Sequence, residues 1–239
     1  MKKNLNLAIA LFFCALLGAC SQKPLQFEST QIQFGVETDT AVSIPVRSIN
    51  ISFETPIAGS NTALQQIREQ IISAVFGFPT DSIVTDSTLL VALLFDLDSV
   101  PAPDSLATNF EYSATGTVIF NNEKILSYEV SSYSYSGGAH GTDWVQYLVF
   151  DLKTGNRLAE NDVFKGDYET VLTQFFIAQL ASEDGFENFE KENIRPNNNF
   201  FMDDKGVTYV FNRYEIACGA CGGPFKIFIP FSEIQGILK

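Results

Sequence analysis

Residues 43–55, SIPVRSINISFET, mix apolar and polar positions in strand fashion, with Ile44, Val46, Ile49, Ile51 and Phe53 as the apolar set. Residues 56–60, opening with Pro56, break that run. The period then lengthens. Leu64, Ile67, Ile71 and Val75 recur at three- and four-residue spacing and share one face of a helix, while Gln65, Arg68 and Glu69 fall elsewhere. Asn61 or Thr62 is placed to cap this helix, and Gln65 to complete a capping box from Thr62. Gly77 and Pro79 end it. A second helix is predicted over residues 87–95, and Pro101 and Pro103 mark a loop.

From Asn109 the pattern is β again. NFEYSATGTVIF and KILSYEVSSYSYS flank Asn121-Asn122 as a hairpin, and DWVQYLVFDL is a third strand that turns at residues 153–156. Asp167 is placed to cap a helix whose broad apolar face holds Val171, Leu172, Phe175, Phe176 and Leu180. A hairpin turning at residues 203–206 and a last strand in FKIFIPFSEI close the chain. The order β-α-α-β-β-β-α-β-β-β lacks the strict alternation of a parallel α/β fold. The predicted class is α+β: antiparallel sheets with helices packed on one face, in two small lobes. Phe and Tyr at alternating positions read mainly as core and cross-strand pairs.

Before this pattern, Lys2 and Lys3 precede an apolar run from Leu5 to Leu17 that is short for a membrane span, and Leu17-Gly18-Ala19-Cys20 follows. Residues 1–19 read as a signal peptide, and the small-small-Cys ending resembles the bacterial lipobox, in which the cysteine is acylated. Cys20 is therefore the expected lipid anchor, residues 20–42 the tether, and acyl chains the contact with the membrane. Ser21 is compatible with an outer-membrane protein facing the periplasm. The chain of 239 residues is 46% hydrophobic with 22 Phe and 8 Tyr, enough for a packed core. Its formal charge of −13 disfavours nucleic acid as a partner.

SYSYSGGAHGTDW, residues 132–144, contains the sole His and the sole Trp of the chain. A Ser-His-Asp hydrolase would have to use His140, with Ser136 and Asp143 nearby, but no nucleophile elbow surrounds a serine. Gly137, Gly138 and Gly141 suit a turn that needs unusual backbone angles, and Gly137-Gly138 could also offer N–H groups to an oxyanion. Tyr133 and Tyr135 share a strand face, and with His140 and Trp144 they could form an aromatic patch suited to a sugar or a protein surface. The competing reading packs the same tyrosines around the glycine turn. Cys218 and Cys221 are expected to close a local disulfide. Zinc held with His140 is the weaker alternative, and no helix follows to support redox chemistry. No metal, cofactor or catalytic residue is assigned.

SYSYSGGAHGTDWVQYLVFDLKTGNRL, then DVF, FFMDDKGVTYVFNRYEIA and GPFKIFIPFSEI, resemble the domain of unknown function 3298 over residues 127–237. Residues 43–126 resemble its companion, domain of unknown function 4163, with weaker motifs. The pair occurs in lipoproteins, in the outer domains of lysozyme-sensing anti-sigma factors, and ahead of peptidoglycan deacetylase domains. The resemblance implies an envelope binding or sensing module with a protein or glycan partner, and adds Tyr214 to the candidate ligand-binding residues. A hydrolase of envelope material and a purely structural lipoprotein are the alternatives. The family turn Tyr-Glu-Ile-Ala-Pro-Tyr is replaced here by Tyr214-Glu215-Ile216-Ala217-Cys218-Gly219, which puts lysozyme binding in doubt. A disulfide would staple this turn in place of the family proline.

Cys20→Ala is expected to move the protein from the membrane fraction to the soluble fraction. Unchanged fractionation on immunoblots overturns the lipobox assignment.

Overall fold

A computed structural model describes residues 25–35, 47–77, 110–219 and 222–239. The signal segment, Cys20, the helix expected at 87–95, the loop at Pro101 and Pro103, and Cys221 lie outside the described residues. Two sheets organise the rest. The first holds β1 (Phe27–Gly35), β2 (Arg47–Pro56), β3 (Phe110–Asn121), β4 (Ile125–Tyr135) and β5 (Thr142–Asp151) in sequence order. The second holds β6 (Phe200–Met202), β7 (Gly206–Phe211) and β8 (Phe225–Pro230). Helices α1 (Thr62–Phe76), α2 (Glu160–Val163), α3 (Tyr168–Leu180) and α4 (Phe231–Ile234) complete the described elements named here. The class is α+β, as the pattern predicts.

Pairing is antiparallel except between β2 and β3, which run parallel. Parallel neighbours need a crossover, and the connection from Pro56 to Phe110 supplies one that contains α1. Ile67, Ile71 and Val75 of α1 are fully buried against Ile49, Ile51 and Phe53 of β2 and Leu126, Tyr128 and Val130 of β4. The helix is capped by Asn61, whose Oδ1 accepts from the Leu64 N–H at 3.2 Å. Gln65 does not close a box with Thr62; its amide donates to the Gly59 carbonyl at 3.0 Å. Asp167 occupies the cap position of α3 but makes no side-chain capping bond.

Two expectations are corrected. Within the expected tether, residues 27–35 form β1, paired along its length with β2 from Phe27↔Pro56 to Gly35↔Ser48. FESTQIQFG looks like a linker because an edge strand needs only a few apolar anchors, here Phe27 and Ile32, while its polar side chains face water. The lobe boundary expected between residues 126 and 127 falls inside β4; by strand pairing the first lobe continues through Asp151.

The second lobe packs α3 on its small sheet. Leu172, Phe176 and Leu180 are buried, and the Phe176 ring lies 4.8 Å from Tyr209 and 5.5 Å from Phe211. Glu160 at the start of α2 is also buried and exchanges two bonds with Asn198: the Asn198 N–H donates to its carboxylate at 2.7 Å, and its own N–H donates to Asn198 Oδ1 at 3.1 Å. Burial raises the carboxyl above the usual carboxylate range. The nearby Tyr209 hydroxyl is buried without an aligned hydrogen-bond partner.

The lobes meet along the outer edge of β5. Val145 donates its N–H to Asn212 Oδ1 at 2.8 Å, and its carbonyl accepts from Asn212 Nδ2 at 2.9 Å and Asn199 Nδ2 at 3.0 Å. The Tyr147 N–H donates to Asn199 Oδ1 at 2.8 Å. Two asparagine amides thus take the place of a sixth strand. Ser127, fully buried on β4, adds a third polar joint: its hydroxyl donates to the Met202 carbonyl at 2.6 Å and accepts from the Met202 N–H at 3.2 Å.

Asn212→Ala leaves Val145 N–H without its partner and is expected to cost about 1–3 kcal/mol in urea unfolding. Asn212→Asp, which still accepts but cannot donate to the Val145 carbonyl, is expected to be destabilising at neutral pH as well. Wild-type midpoints for both variants would show that the edge is held by other contacts.

Candidate functional site

The signature turn lies between β4 and β5, and its tyrosines fold back onto it. The Tyr135 hydroxyl donates to the Gly138 carbonyl at 2.8 Å. The Tyr133 ring covers Gly141 so closely that a Cβ there would lie 2.4 Å from ring atoms. Both tyrosines are half-buried. Gly137 and Gly138 have φ of 98° and 100°, in the region that favours glycine. His140 is exposed, with Nδ1 3.2 Å from the Gly141 carbonyl.

Strand register separates the expected aromatic patch. Tyr133 pairs with Asp143, whereas Trp144 pairs with Ser132, so Trp144 and Tyr133 project from opposite faces of the sheet. Trp144 is 46% exposed. It shares its sheet face with Leu148 and Phe150, which pack on α1, whereas Val149 and Ser127 on the other face meet the second lobe, where Tyr214 lies. Tyr214 is 58% exposed and has a left-handed backbone with φ of 72°, a conformation costly for an aromatic residue. Its ring rests on Gly219, where a Cβ would meet ring atoms at 2.2 Å. Cys218 next to it is disulfide-bonded.

Beside Tyr214 a pocket of about 320 Å³ is lined by Asn193, Arg195, Pro196, Asn197, Phe211 and Glu215. Glu215 is fixed from the protein side: its Oε2 accepts from the Asn212 N–H at 2.9 Å and from Asn197 Nδ2 at 3.2 Å. Asn193 Nδ2 donates to Glu190 Oε2 at 2.6 Å. Apart from Phe211 at the end of β7, these lining residues do not follow from strand or helix periodicity. The one sequence signal is the Asn197-Asn198-Asn199 run ahead of β6, a density of short amides that favours local backbone bonds.

A second polar cluster joins the sheets away from this end. The Tyr147 hydroxyl donates to Glu129 and accepts from Lys226 Nζ at 2.9 Å, and the Ser131 hydroxyl donates to the other Glu129 oxygen at 3.0 Å. Burial, and then the Glu129 bond and charge, push the Tyr147 phenol well above its ordinary value, so it stays protonated as a donor. With each member engaged by another, the cluster acts as a strut between β4, β5 and β8. Among the described residues no group of three or more His, Cys, Asp or Glu side chains could hold a metal. Among them, too, no helix is long and apolar enough to cross a membrane.

Folds similar to this one occur in known structures. A DUF3298 family member from Bacteroides fragilis superposes with a TM-score of 0.73 at 24% identity, over 90% of this chain and 94% of that one. A DUF3298 family protein from Pseudomonas aeruginosa gives 0.63 at 17% identity, over 91% and 95%. Residues 161–232 match the model of the family described as protein of unknown function, DUF3298, and the chain carries a DUF3298 domain. That match begins after the Gly-Gly-Ala-His-Gly turn and so is narrower than the 127–237 span of the resemblance. The turn lies instead in a match of residues 99–143 to the family described as Deacetylase PdaC. No curated protein matches the chain.

Gly141→Ala drives a methyl group into the Tyr133 ring and is expected to cost about 1–3 kcal/mol, as overpacking does. Tyr133→Ala in the same chain should relieve part of that cost. Strictly additive effects in the double-mutant cycle of unfolding energies would refute the contact.

Proposed function

We propose that this chain is a non-catalytic binding module of the bacterial cell envelope, tethered through acylated Cys20 and facing a protein or glycan ligand. The observation that carries this reading is Tyr214, an aromatic side chain held in solvent on a left-handed backbone. Strain of that kind persists where surrounding structure imposes it, and it clusters at ligand-contacting positions. Trp144 is also exposed, and exposed aromatics with polar tips suit both sugars and protein surfaces. Tyr133, Tyr135, Gly137, Gly138 and Gly141 have the supporting role of setting the turn, while His140, Trp144 and Tyr214 form the contact surface. The resemblance to envelope sensing domains supports the same reading.

The test is binding of the purified chain to lysozyme and to soluble peptidoglycan fragments by calorimetry. Saturable binding is expected with one of the two, weakened at least about tenfold by Trp144→Ala or Tyr214→Ala, as for exposed aromatic anchors. Absence of binding to both counts against the proposal. The match of residues 99–143 to a deacetylase family favours hydrolysis as the second reading. Under it, turnover of peptidoglycan fragments would be measurable and lost in His140→Ala.

A further inference from the structure

We infer that the pocket between residues 193–197 and Glu215 is a binding site for an α-amino-acid unit carrying a free carboxylate, either a free amino acid or the C-terminal end of a peptide. The inference stands on different residues from the aromatic surface proposed above. Its starting point is Arg195. Acidic residues outnumber basic ones in this chain by 28 to 15, yet the Arg195 guanidinium makes no ion pair or hydrogen bond among the described residues. A planar guanidinium with all its donors open matches a carboxylate in the two-point geometry that Lys cannot reproduce.

Glu215 supplies the complementary half. Its Oε2 is held by the Asn212 N–H and Asn197 Nδ2, while its Oε1 has only a 3.5 Å contact with Asn212 Nδ2 and keeps accepting capacity. The carboxylate is thereby immobilised without being neutralised by a cation, and it presents an acceptor to the N–H or ammonium adjacent to a ligand carboxylate. Pro196 and the buried Phe211 give the pocket an apolar wall for a small side chain. The volume of about 320 Å³ accommodates one or two residues and no folded partner. A guanidinium and a carboxylate in one pocket select against a simple anion, which Glu215 repels, and against a simple cation, which Arg195 repels.

The test is titration of the full chain with alanine, with the dipeptide alanyl-alanine and with the C-terminal amide of that dipeptide. Amide shifts of Asn193 and Asn197 side chains in NMR spectra provide the readout. Saturable shifts are expected for the dipeptide, for free alanine, or for both, which tells a peptide terminus from an amino acid. Loss of at least about tenfold in affinity is expected on amidation and in Arg195→Gln, since both remove the charge-assisted pair. Arg195 has no partner to lose on folding, so this variant keeps wild-type circular dichroism. Equal binding of the amide, wild-type binding by Arg195→Gln, or no saturable shift at about 10 mM ligand, where even weak sites fill, would overturn the inference. Failure of Trp144→Ala to bind lysozyme or peptidoglycan fragments leaves these shifts unchanged, so the two proposals fail separately.

Discussion

The open edge of β5 is the constraint on which the rest of the molecule depends. A five-stranded sheet that ends on a strand with free N–H and C=O groups must cover them or risk pairing with another chain. Here Asn199 and Asn212 cover Val145 and Tyr147 with side-chain amides. Arg157 and Leu158 extend the cover by donating to the Tyr147 and Val149 carbonyls. An amide carries one acceptor and two donors, so it can satisfy a strand edge residue by residue without a strand being present. The price is that the first sheet is complete only when the second lobe is folded against it. Similar folds extend over nine-tenths of the chain.

The same joint explains what could be read from the sequence. Elements whose signal is local were legible: α1 from its period, the β3–β4 hairpin from Asn121-Asn122, and the β6–β7 turn from Asp203, whose carboxylate accepts from the Lys205 and Gly206 N–H groups. β1 was not legible, because it is held by backbone pairing to β2 and its side chains need no strict alternation. The parallel register of β2 and β3 was hidden by the hairpins around it, since only the crossover reveals it. Asn199 and Asn212 carry no periodic signal. Their role exists only when strands separated by more than fifty residues in sequence are brought side by side.

The candidate site divides along a similar line. Sequence brought Tyr133, Tyr135, His140 and Trp144 together because they are neighbours in the chain. Register then sends Trp144 to the face opposite Tyr133 and uses both tyrosines to hold the glycine turn. The candidate side chains left in solvent are His140, Trp144 and Tyr214. Tyr214 stood out in sequence only through its motif, since a left-handed φ at a tyrosine is a property of the folded turn. There Ile216 and Ala217 are buried behind it and Gly219 receives its ring.

Glu215 links the two arguments. One carboxylate oxygen holds the backbone of Asn212 and the side chain of Asn197, and Asn212 in turn holds the edge of β5. The wall of the pocket and the joint between the lobes are therefore built from one hydrogen-bonded chain running Asn197–Glu215–Asn212–Val145. Removing Glu215 would leave the N–H of buried Asn212 without its acceptor and weaken the joint whether or not anything binds, because an unmet buried polar group costs more than a hydrogen bond contributes. Arg195 lies outside that chain of bonds. A change there alters the charge of the pocket and leaves the joint intact, which is why the guanidinium, rather than the carboxylate opposite it, separates recognition from folding in this molecule.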